Sequence, residues 1–180
     1  MNDARREPIG APAADAQPLE PAARPSWPIF LSLAAVVIVL DQLTKAWLTS
    51  FLAPGQSVDV IGDLVRLVHS QNNGGLFGLF RGQAVIFGLV SIVVIGLIVL
   101  YHWRAGGGLY LSITLGLLLG GAVGNLIDRL RLGYVVDFVD GGVGDVRWYT
   151  FNVADAAISL SLVLLLAASI WPQLTRRSGE

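Results

Sequence analysis

Residues 116–155 read GLLLGGAVGNLIDRLRLGYVVDFVDGGVGDVRWYTFNVAD, and this stretch determines how the rest of the chain is arranged. It joins two apolar segments of the kind that span a bilayer, yet polar and ionisable side chains stand at the facing ends of both. Such side chains are costly in a lipid-embedded segment, so by default they are a hypothesis of a functional site. The side chains concerned are Asn125, Asp128, Arg129, Asp137, Asp140, Asn152 and Asp155.

The composition of the chain is that of a membrane protein. Of the 180 residues, 54% are hydrophobic and 14% are charged, whereas charged residues make up about 25% of a typical soluble domain. The net charge of −1 gives no electrostatic basis for binding nucleic acid. Because the chain has no cysteine and only two histidines, we expect no disulfide and no metal site. We expect no other cofactor.

Four apolar segments are each long enough to cross a bilayer as a helix, which takes about 20 residues. They cover residues 28–48, 84–103, 108–127 and 153–171. They predict one membrane domain at residues 27–172, in which the uncharged second helix is scaffold. Residues 1–26, rich in proline and alanine and without an apolar period, are predicted to be a disordered tail. Residues 173–180 are predicted to be a short C-terminal tail.

The two long connections between these segments have the character of β-strands. β-Branched residues recur around a Gly62-Asp63 turn signal in the first, and residues 134–139 are strand-like in the second. Open strand edges cannot lie in hydrocarbon, so this small sheet is expected at the membrane surface. Asp140 and Asp145 are predicted to occupy solvated positions of a glycine-rich turn, whereas Asp137 lies inside the apolar strand.

Glycines recur at every fourth residue of the third apolar segment, at Gly116, Gly120 and Gly124. Glycines at this spacing let a neighbouring helix approach closely, and helix packing is the better interpretation of the glycines themselves. Polar residues within 125–129 follow at the predicted end of this helix. They either belong to a site or position the next loop.

Asp41 and Lys45 interrupt the first apolar segment four residues apart, so they share one helix face and can pair. An ion pair at the membrane interface, with the lysine reaching toward water, explains them as well as a functional role does.

The aspartates of the second connection and the fourth segment offer a site chemistry. Asn152 and Asp155 each have a structural interpretation, as a helix N-cap and as a first-turn acid. However, Asp137 and Asp155 could be brought together near the water interface. Two carboxylates in one site keep one proton between them, and the pair can then act as base and acid in peptide hydrolysis. Proton relays and buried ion pairs use the same residue type.

Five sequence blocks carry a resemblance to the lipoprotein signal peptidases, the type II signal peptidases of bacteria, over residues 28–171. They are Asp41-Gln-Leu-Thr-Lys45, Asn72-Asn-Gly-Gly-Leu-Phe77, Gly120-Gly-Ala-Val-Gly-Asn-Leu-Ile-Asp-Arg129, Gly133-Tyr-Val-Val-Asp-Phe138 and Phe151-Asn-Val-Ala-Asp155. Their order and separations match those of the family. Gly75 and Leu76 replace the usual Ala-Ala, and Gln71 stands where a basic residue is common. These departures concern substrate-loop contacts and leave the catalytic assignment alone.

The resemblance implies a mainly α-helical membrane protein whose four transmembrane helices carry a small extracytoplasmic β-sheet cradle. It implies an intramembrane aspartic endopeptidase that removes the signal peptide of diacylglyceryl-modified prolipoproteins just before the lipidated cysteine. Asp137 and Asp155 would be the catalytic pair. Substrate-binding or supporting roles would fall to Asn72, Gly74, Asn125, Asp128, Arg129, Asn152, Asp41 and Lys45. The enzyme would be a monomer in the bacterial cytoplasmic membrane, with cytoplasmic termini and an active site near the extracytoplasmic surface.

The alternative is a protein of another functional class, a proton- or ion-conducting membrane subunit. In such a protein Asp41, Asp128 and Asp155 would be the relay groups. That class predicts polar residues throughout the depth of the bilayer, whereas here they concentrate at one level. Gly142-Val-Gly-Asp145 matches a motif of presenilin-type and prepilin peptidases by letters, but it lies in a glycine-rich turn without a helical period. Basic residues are nearly balanced between the two sides, so charge alone does not determine the topology.

Overall fold

Four long helices and four strands make up the described part of the computed structural model, residues 25–74, 84–105 and 108–175. The helices are α1 (Trp27–Thr49), α2 (Ala84–Ala105), α3 (Gly108–Leu132) and α4 (Val153–Ile170), followed by a short 3-10 helix at Pro172–Thr175. The strands are β1 (Ser57–Ile61), β2 (Val65–Asn72), β3 (Val135–Val143) and β4 (Val146–Arg147). The predicted N-terminal tail up to residue 24, and residues 75–83, 106–107 and 176–180, lie outside the described residues.

Each of the four long helices is long and apolar enough to cross a membrane, so the predicted four transmembrane helices with a small sheet are confirmed. α1, α2 and α4 all pack against α3. The membrane-spanning window of α3 is 61% buried, against 28% for α1 and 17% for each of α2 and α4. α3 is therefore the centre of the bundle.

Glycines on α3 bring its neighbours close enough for polar side chains of different helices to meet. A Cβ atom at Gly120 would lie 2.6 Å from a Cβ atom of α1, and one at Gly124 would lie 2.8 Å from Oδ2 of Asp41. Such distances leave no room for a side chain, so the predicted packing role of these glycines is confirmed. Gly121, which lies outside the four-residue repeat, serves α4 in the same way, because its Cβ would lie 2.5 Å from the carbonyl oxygen of Ala154.

The strands form one antiparallel sheet in the order β1-β2-β3-β4, and β1 and β2 turn at the predicted Gly62-Asp63 signal. An apolar cluster attaches this sheet to the C-terminal end of α1. It consists of Leu48, Leu52, Val136 and Phe138. Because the cluster includes the residues on both sides of Asp137, it also fixes where that carboxylate lies relative to the bundle.

The turn between β3 and β4 is shorter than the sequence predicts. Gly141 and Gly142 lie within β3 instead of a flexible turn, and Gly141 pairs with Val65 of β2. The turn itself is formed at Gly144, whose φ of +57° is a left-handed conformation that glycine adopts without strain. Asp145 follows it and is exposed, as predicted.

Asp140 is a buried strand residue, so its predicted position in a solvated turn is wrong. Its carboxylate lies 2.9 Å from the guanidinium of Arg147 and 3.3 Å from that of Arg66, and the residue is 7% exposed. These partners come from β4 and β2, which sequence spacing alone does not place beside β3. The two ion pairs explain why a carboxylate can be buried here.

α3 runs to Leu132 instead of ending at residue 127, so Asp128 and Arg129 lie within its last turns and not at its end. Gly133 follows the helix with a φ of +78°, and its N–H donates to the carbonyl of Arg129 at 3.1 Å. A left-handed glycine directly after the last turn is a common way for a helix to end.

Candidate active site

Asp137 is held in the middle of β3 between two asparagine side chains, and it is 1% exposed. Asn72 pairs with Val135 in the β2–β3 ladder and is therefore a diagonal neighbour of Asp137. Its Nδ2 donates to Oδ2 of Asp137 at 3.0 Å. Nδ2 of Asn152 donates to Oδ1 of Asp137 at 2.7 Å. Each oxygen of this buried carboxylate therefore has an amide donor.

The chain returns from β4 so that α4 begins beside β3. The N–H of Val139 donates to the carbonyl of Phe151 at 2.8 Å, and the N–H of Phe151 donates back at 3.1 Å. Asn152, the next residue, is the N-cap of α4, as its residue type predicts. Its Oδ1 accepts from the N–H of Asp155 at 2.8 Å, and Oδ2 of Asp155 accepts from the N–H of Asn152 at 3.3 Å. This capping box fixes both side chains.

A chain of amide hydrogen bonds joins Asp137 to Asp155. Nδ2 of Asn152, which holds Asp137, also donates to Oδ1 of Asn125 at 3.1 Å. Nδ2 of Asn125 donates to Oδ1 of Asp155 at 2.8 Å. The two aspartates therefore belong to one polar network where β3, α3 and α4 meet, and both line the same cavity.

Burial raises the pKa of Asp137 to about 7, and the charge of Asp155 contributes to this rise. The hydrogen bonds from Asn72 and Asn152 and the charge of Lys45 act in the opposite direction without cancelling it. A carboxyl with a pKa near neutrality, beside a second carboxyl, keeps a proton at a pH where an ordinary carboxyl is ionised. Acid–base catalysis by a pair of carboxyls requires this property.

Asp41 and Lys45 are buried inside the bundle, at 0% and 4% exposed. Nζ of Lys45 lies 2.7 Å from Oδ2 of Asp41 and 2.9 Å from Oδ2 of Asp128 on α3. The predicted pairing of Asp41 with Lys45 is confirmed, but the predicted reach of the lysine toward water is wrong, because the ammonium faces a second carboxylate instead. Nζ also donates to Oδ1 of Asn125 at 3.3 Å, so this lysine cluster borders the aspartate network.

Arg129 lies at the edge of the same network. Its Nη1 donates to the carbonyl of Asn125 at 3.1 Å, and its Nη2 donates to the carbonyl of Gly74 at 3.4 Å. Its guanidinium carbon lies 5.9 Å from the centre of the Phe87 ring. Its Nε is buried and has no hydrogen-bond partner among the described residues. Because Arg129 lines the same cavity as the two aspartates and a guanidinium has five N–H donors, it can donate a further hydrogen bond to a bound molecule.

A cavity of about 670 Å³ lies beside the aspartates, between α2 and α4. Its size is typical of a site for a small molecule or for part of a larger one. Five side chains form its polar end, where the helices meet the sheet: Asn72, Asn125, Arg129, Asp137 and Asp155. The other lining residues, mostly apolar, are Phe87, Val90, Ser91, Val94, Leu118, Ala122, Val135, Trp148, Tyr149, Thr150, Phe151, Ala156, Ile158, Ser159 and Leu162.

Comparison with protein families decides what kind of protein carries this site. A model of the signal peptidase (SPase) II family matches residues 33–171, which is most of the chain. This chain belongs to the signal peptidase II family. It is therefore an aspartic peptidase, a hydrolase of peptide bonds, and the alternative of an ion-conducting subunit is not favoured.

Individual relatives of this signal peptidase match it over most of their length. The lipoprotein signal peptidase of Halothermothrix orenii is 36% identical over 138 residues, which cover 77% of this chain and 92% of the relative. That of Moorella thermoacetica is 40% identical over 137 residues, covering 76% and 89%. A solved structure of a bacterial membrane enzyme has a TM-score of 0.78 at 26% identity, covering 89% of this chain and 99% of the other. The chain is thus a multi-pass bacterial membrane protein.

Sequence reasoning missed three parts of the signal peptidase cavity and its surroundings. α2, predicted to be scaffold, contributes Phe87 and Ser91 to the cavity wall, and residues 148–151 line it as well. Gln42 joins the lysine cluster, since its Nε2 donates to Oδ1 of Asp128 at 2.9 Å. Its place inside the first sequence block is a signal that could have found it. No signal in the sequence could have found the contribution of α2, because an apolar helix has the same composition whether it faces lipid or a cavity.

Proposed function

We propose that this signal peptidase removes signal peptides from prolipoproteins by cutting just before a diacylglyceryl-modified cysteine, with Asp137 and Asp155 as its catalytic pair. One observation carries the proposal: asparagine side chains join the two carboxylates at the polar end of an otherwise apolar cavity. A peptide bond at that end would face both carboxylates. The acyl chains of a lipidated substrate would lie along the apolar wall between α2 and α4, which borders the membrane.

The pair acts through one proton that the two carboxyls share. The ionised carboxylate takes a proton from a water molecule, and the oxygen of that water attacks the carbon of the scissile carbonyl. The protonated carboxyl donates a hydrogen bond to the carbonyl oxygen, which stabilises the developing charge. When the tetrahedral intermediate collapses, the carbon–nitrogen bond breaks and a proton passes to the leaving amine. The pKa of Asp137, near 7, supports a pair that keeps this proton at neutral pH.

The remaining residues of the site bind the substrate or support the catalytic pair. Asn72, Asn125 and Asn152 hold the carboxylates. Arg129, anchored to the carbonyl of Gly74, lines the cavity and can donate to a substrate carbonyl. Asp41, Lys45 and Asp128 support the network from behind. We propose that the enzyme works as a monomer, without a metal or another cofactor.

The test is cleavage of a purified prolipoprotein by the purified full-length enzyme in lipid, in a buffer that contains a chelator. We expect one cut, directly before the cysteine, in the diacylglyceryl-modified substrate. The matched control is the same prolipoprotein without the lipid, which should remain intact. Equal cleavage of both forms would show that the enzyme does not recognise the lipid. Cleavage of neither form would contradict the proposed function.

The rate of cleavage should fall as the pH rises above about 7. Below that pH the pair still holds its proton, because the pKa of Asp137 is raised to about 7. Above it both carboxylates are ionised, no proton is left for the leaving amine, and the rate should drop about tenfold per pH unit. The free energy of unfolding follows the same titration. The contribution that protonated Asp137 makes to it is complete at acidic pH and is lost as the pH rises through about 7. Measuring kcat/KM across the neutral range checks this expectation, and a rate that keeps rising through pH 8 contradicts it.

We propose that the sheet and the catalytic pair lie at the extracytoplasmic surface of the cytoplasmic membrane, and that both termini are cytoplasmic. The even number of spans in the described chain puts Trp27 and Ile170, the outer ends of α1 and α4, on the side opposite the sheet. A substrate anchored by its lipid in the outer leaflet would then meet the cavity at the level of the carboxylates.

Single cysteines give a direct measurement of this topology, because the chain has none of its own. Ser57→Cys in β1 and Asp145→Cys in the β3–β4 turn are exposed positions on the sheet. Both should react with a membrane-impermeant thiol reagent applied to intact spheroplasts. Arg104→Cys, exposed near the opposite end of α2, should react only after the membrane is opened. Reaction at position 104 alone in intact spheroplasts would invert the proposed orientation.

A further inference from the structure

Lys45 is a buried cation whose ammonium is surrounded by side-chain oxygens of the protein. The acceptors are carboxylate oxygens of Asp41 and Asp128, at 2.7 Å and 2.9 Å, and the side-chain oxygen of Asn125 at 3.3 Å. The lysine side chain is 5% exposed. Because the ammonium is buried among these three oxygens, water and a substrate have no access to it. Lys45 therefore does not bind substrate, and its role must lie in what it holds together.

The two carboxylates that Lys45 joins each hold a backbone amide next to a candidate catalytic residue. Oδ1 of Asp41 accepts from the N–H of Ala154 at 3.0 Å, and Ala154 directly precedes Asp155. Oδ2 of Asp128 accepts from the N–H of Val136 at 3.1 Å, and Val136 directly precedes Asp137. One cation therefore connects, through α1 and α3, the backbone of β3 to the first turn of α4.

We infer that Lys45 is a positioning residue, which fixes the separation of Asp137 and Asp155 by holding the backbone before each of them. The inference rests on the proposed catalytic role of that pair. A pair of carboxyls that share a proton tolerates little displacement, since an error of about 1 Å in a catalytic group costs about 100-fold in rate. A buried ion pair that served stability alone could be replaced by apolar residues at little cost.

A double replacement, Lys45→Met with Asp41→Asn, separates a positioning role of Lys45 from a role in stability alone. Lys45→Met alone leaves two buried carboxylates without a cation and is expected to destabilise the protein strongly. The double variant keeps the net charge of the cluster at −1, because one positive and one negative charge are removed together. Asn at position 41 also keeps an oxygen that can accept from Ala154. We expect this variant to insert and fold, and to lose at least about tenfold in kcat with little change in KM.

The pH profile gives a readout that a purely structural role would not move. The charged groups that act on Asp137 are Asp155, which disfavours its ionised form, and Lys45, which favours it. Arg129 also lies within electrostatic reach of Asp137. Removing the cation should therefore shift the fall in rate near pH 7 to higher pH. A double variant with the kcat and the pH profile of the wild type overturns the inference.

Two further variants separate this inference from general loss of stability and from the proposed function. Arg66→Met removes an ion pair with Asp140 in the sheet, outside the catalytic network. It should lower the melting temperature while kcat stays near that of the wild type. Asp137→Asn in the same assay tests the catalytic pair itself. If Asp137→Asn cleaved normally, the proposed function would fail whatever Lys45 does.

Discussion

Asp137→Asn and Asp155→Asn should each abolish cleavage of a diacylated prolipoprotein while the protein still inserts and folds. Asn has nearly the shape of Asp, so the packing around β3 and α4 should change little. It can neither accept a proton from water nor pass one to the leaving amine. General acid–base catalysis contributes about 10²–10⁴-fold, and both halves of it depend here on one shared proton. The double variant should therefore be no worse than either single one, because residues that act as a unit are not additive.

The control for these variants is Asp145→Asn, because Asp145 is exposed in the β3–β4 turn and lies outside the cavity lining. Its kcat and KM should match those of the wild type. Asp140 is unsuitable as a control despite its nearby position, since its carboxylate binds Arg147 and Arg66. Near-normal turnover by either Asp137→Asn or Asp155→Asn would exclude the mechanism proposed here.

Much of the fold could be predicted because membrane-spanning helices have a strong local signal. A run of about 20 apolar residues is sufficient to identify each span, and all four were located correctly. The close approach at Gly120 and Gly124 followed from their spacing, and the N-cap at Asn152 followed from its residue type and position. Each of these features depends on residues that are neighbours along one element. The periodicity of the sequence therefore carries the information.

The features that could not be predicted depend on contacts between distant elements. The residues around Asp140 have the composition of a turn, and only the pairing of β2 and β4 with β3 buries Asp140. The direction in which the Lys45 side chain points likewise depends on Asp128, which lies on a different helix. Sequence pattern suggested Asp137 and Asp155 as a pair, but it gave no reason why they should meet. That reason is the bridge of Phe151 to β3, which places the start of α4 beside Asp137.

Asn152 is where the structural and the catalytic interpretations can be separated experimentally. Its Oδ1 caps α4, whereas its Nδ2 donates to Asp137 and Asn125. Asn152→Ala removes both functions, and loss of the cap alone costs about 0.5–2 kcal/mol of stability. Asn152→Ser keeps an oxygen that can cap the helix but has no amide to donate to a carboxylate. The two substitutions therefore differ in the helix cap, and both lack the amide N–H₂ group that donates to Asp137 and Asn125.

We expect Asn152→Ser to melt close to the wild type, and Asn152→Ala to melt at a lower temperature. Both should lose about 10- to 100-fold in kcat, because a hydrogen bond to a charged group contributes about 1.5–3 kcal/mol and each 1.4 kcal/mol is tenfold in rate. KM should change little, since Asn152 lies behind the carboxylate and not in the cavity lining. The measurement is kcat and KM beside thermal unfolding for the three proteins. If Asn152→Ser recovered the activity of the wild type together with its stability, Asn152 would be a helix cap only, and the amide network would have no part in aligning the catalytic pair.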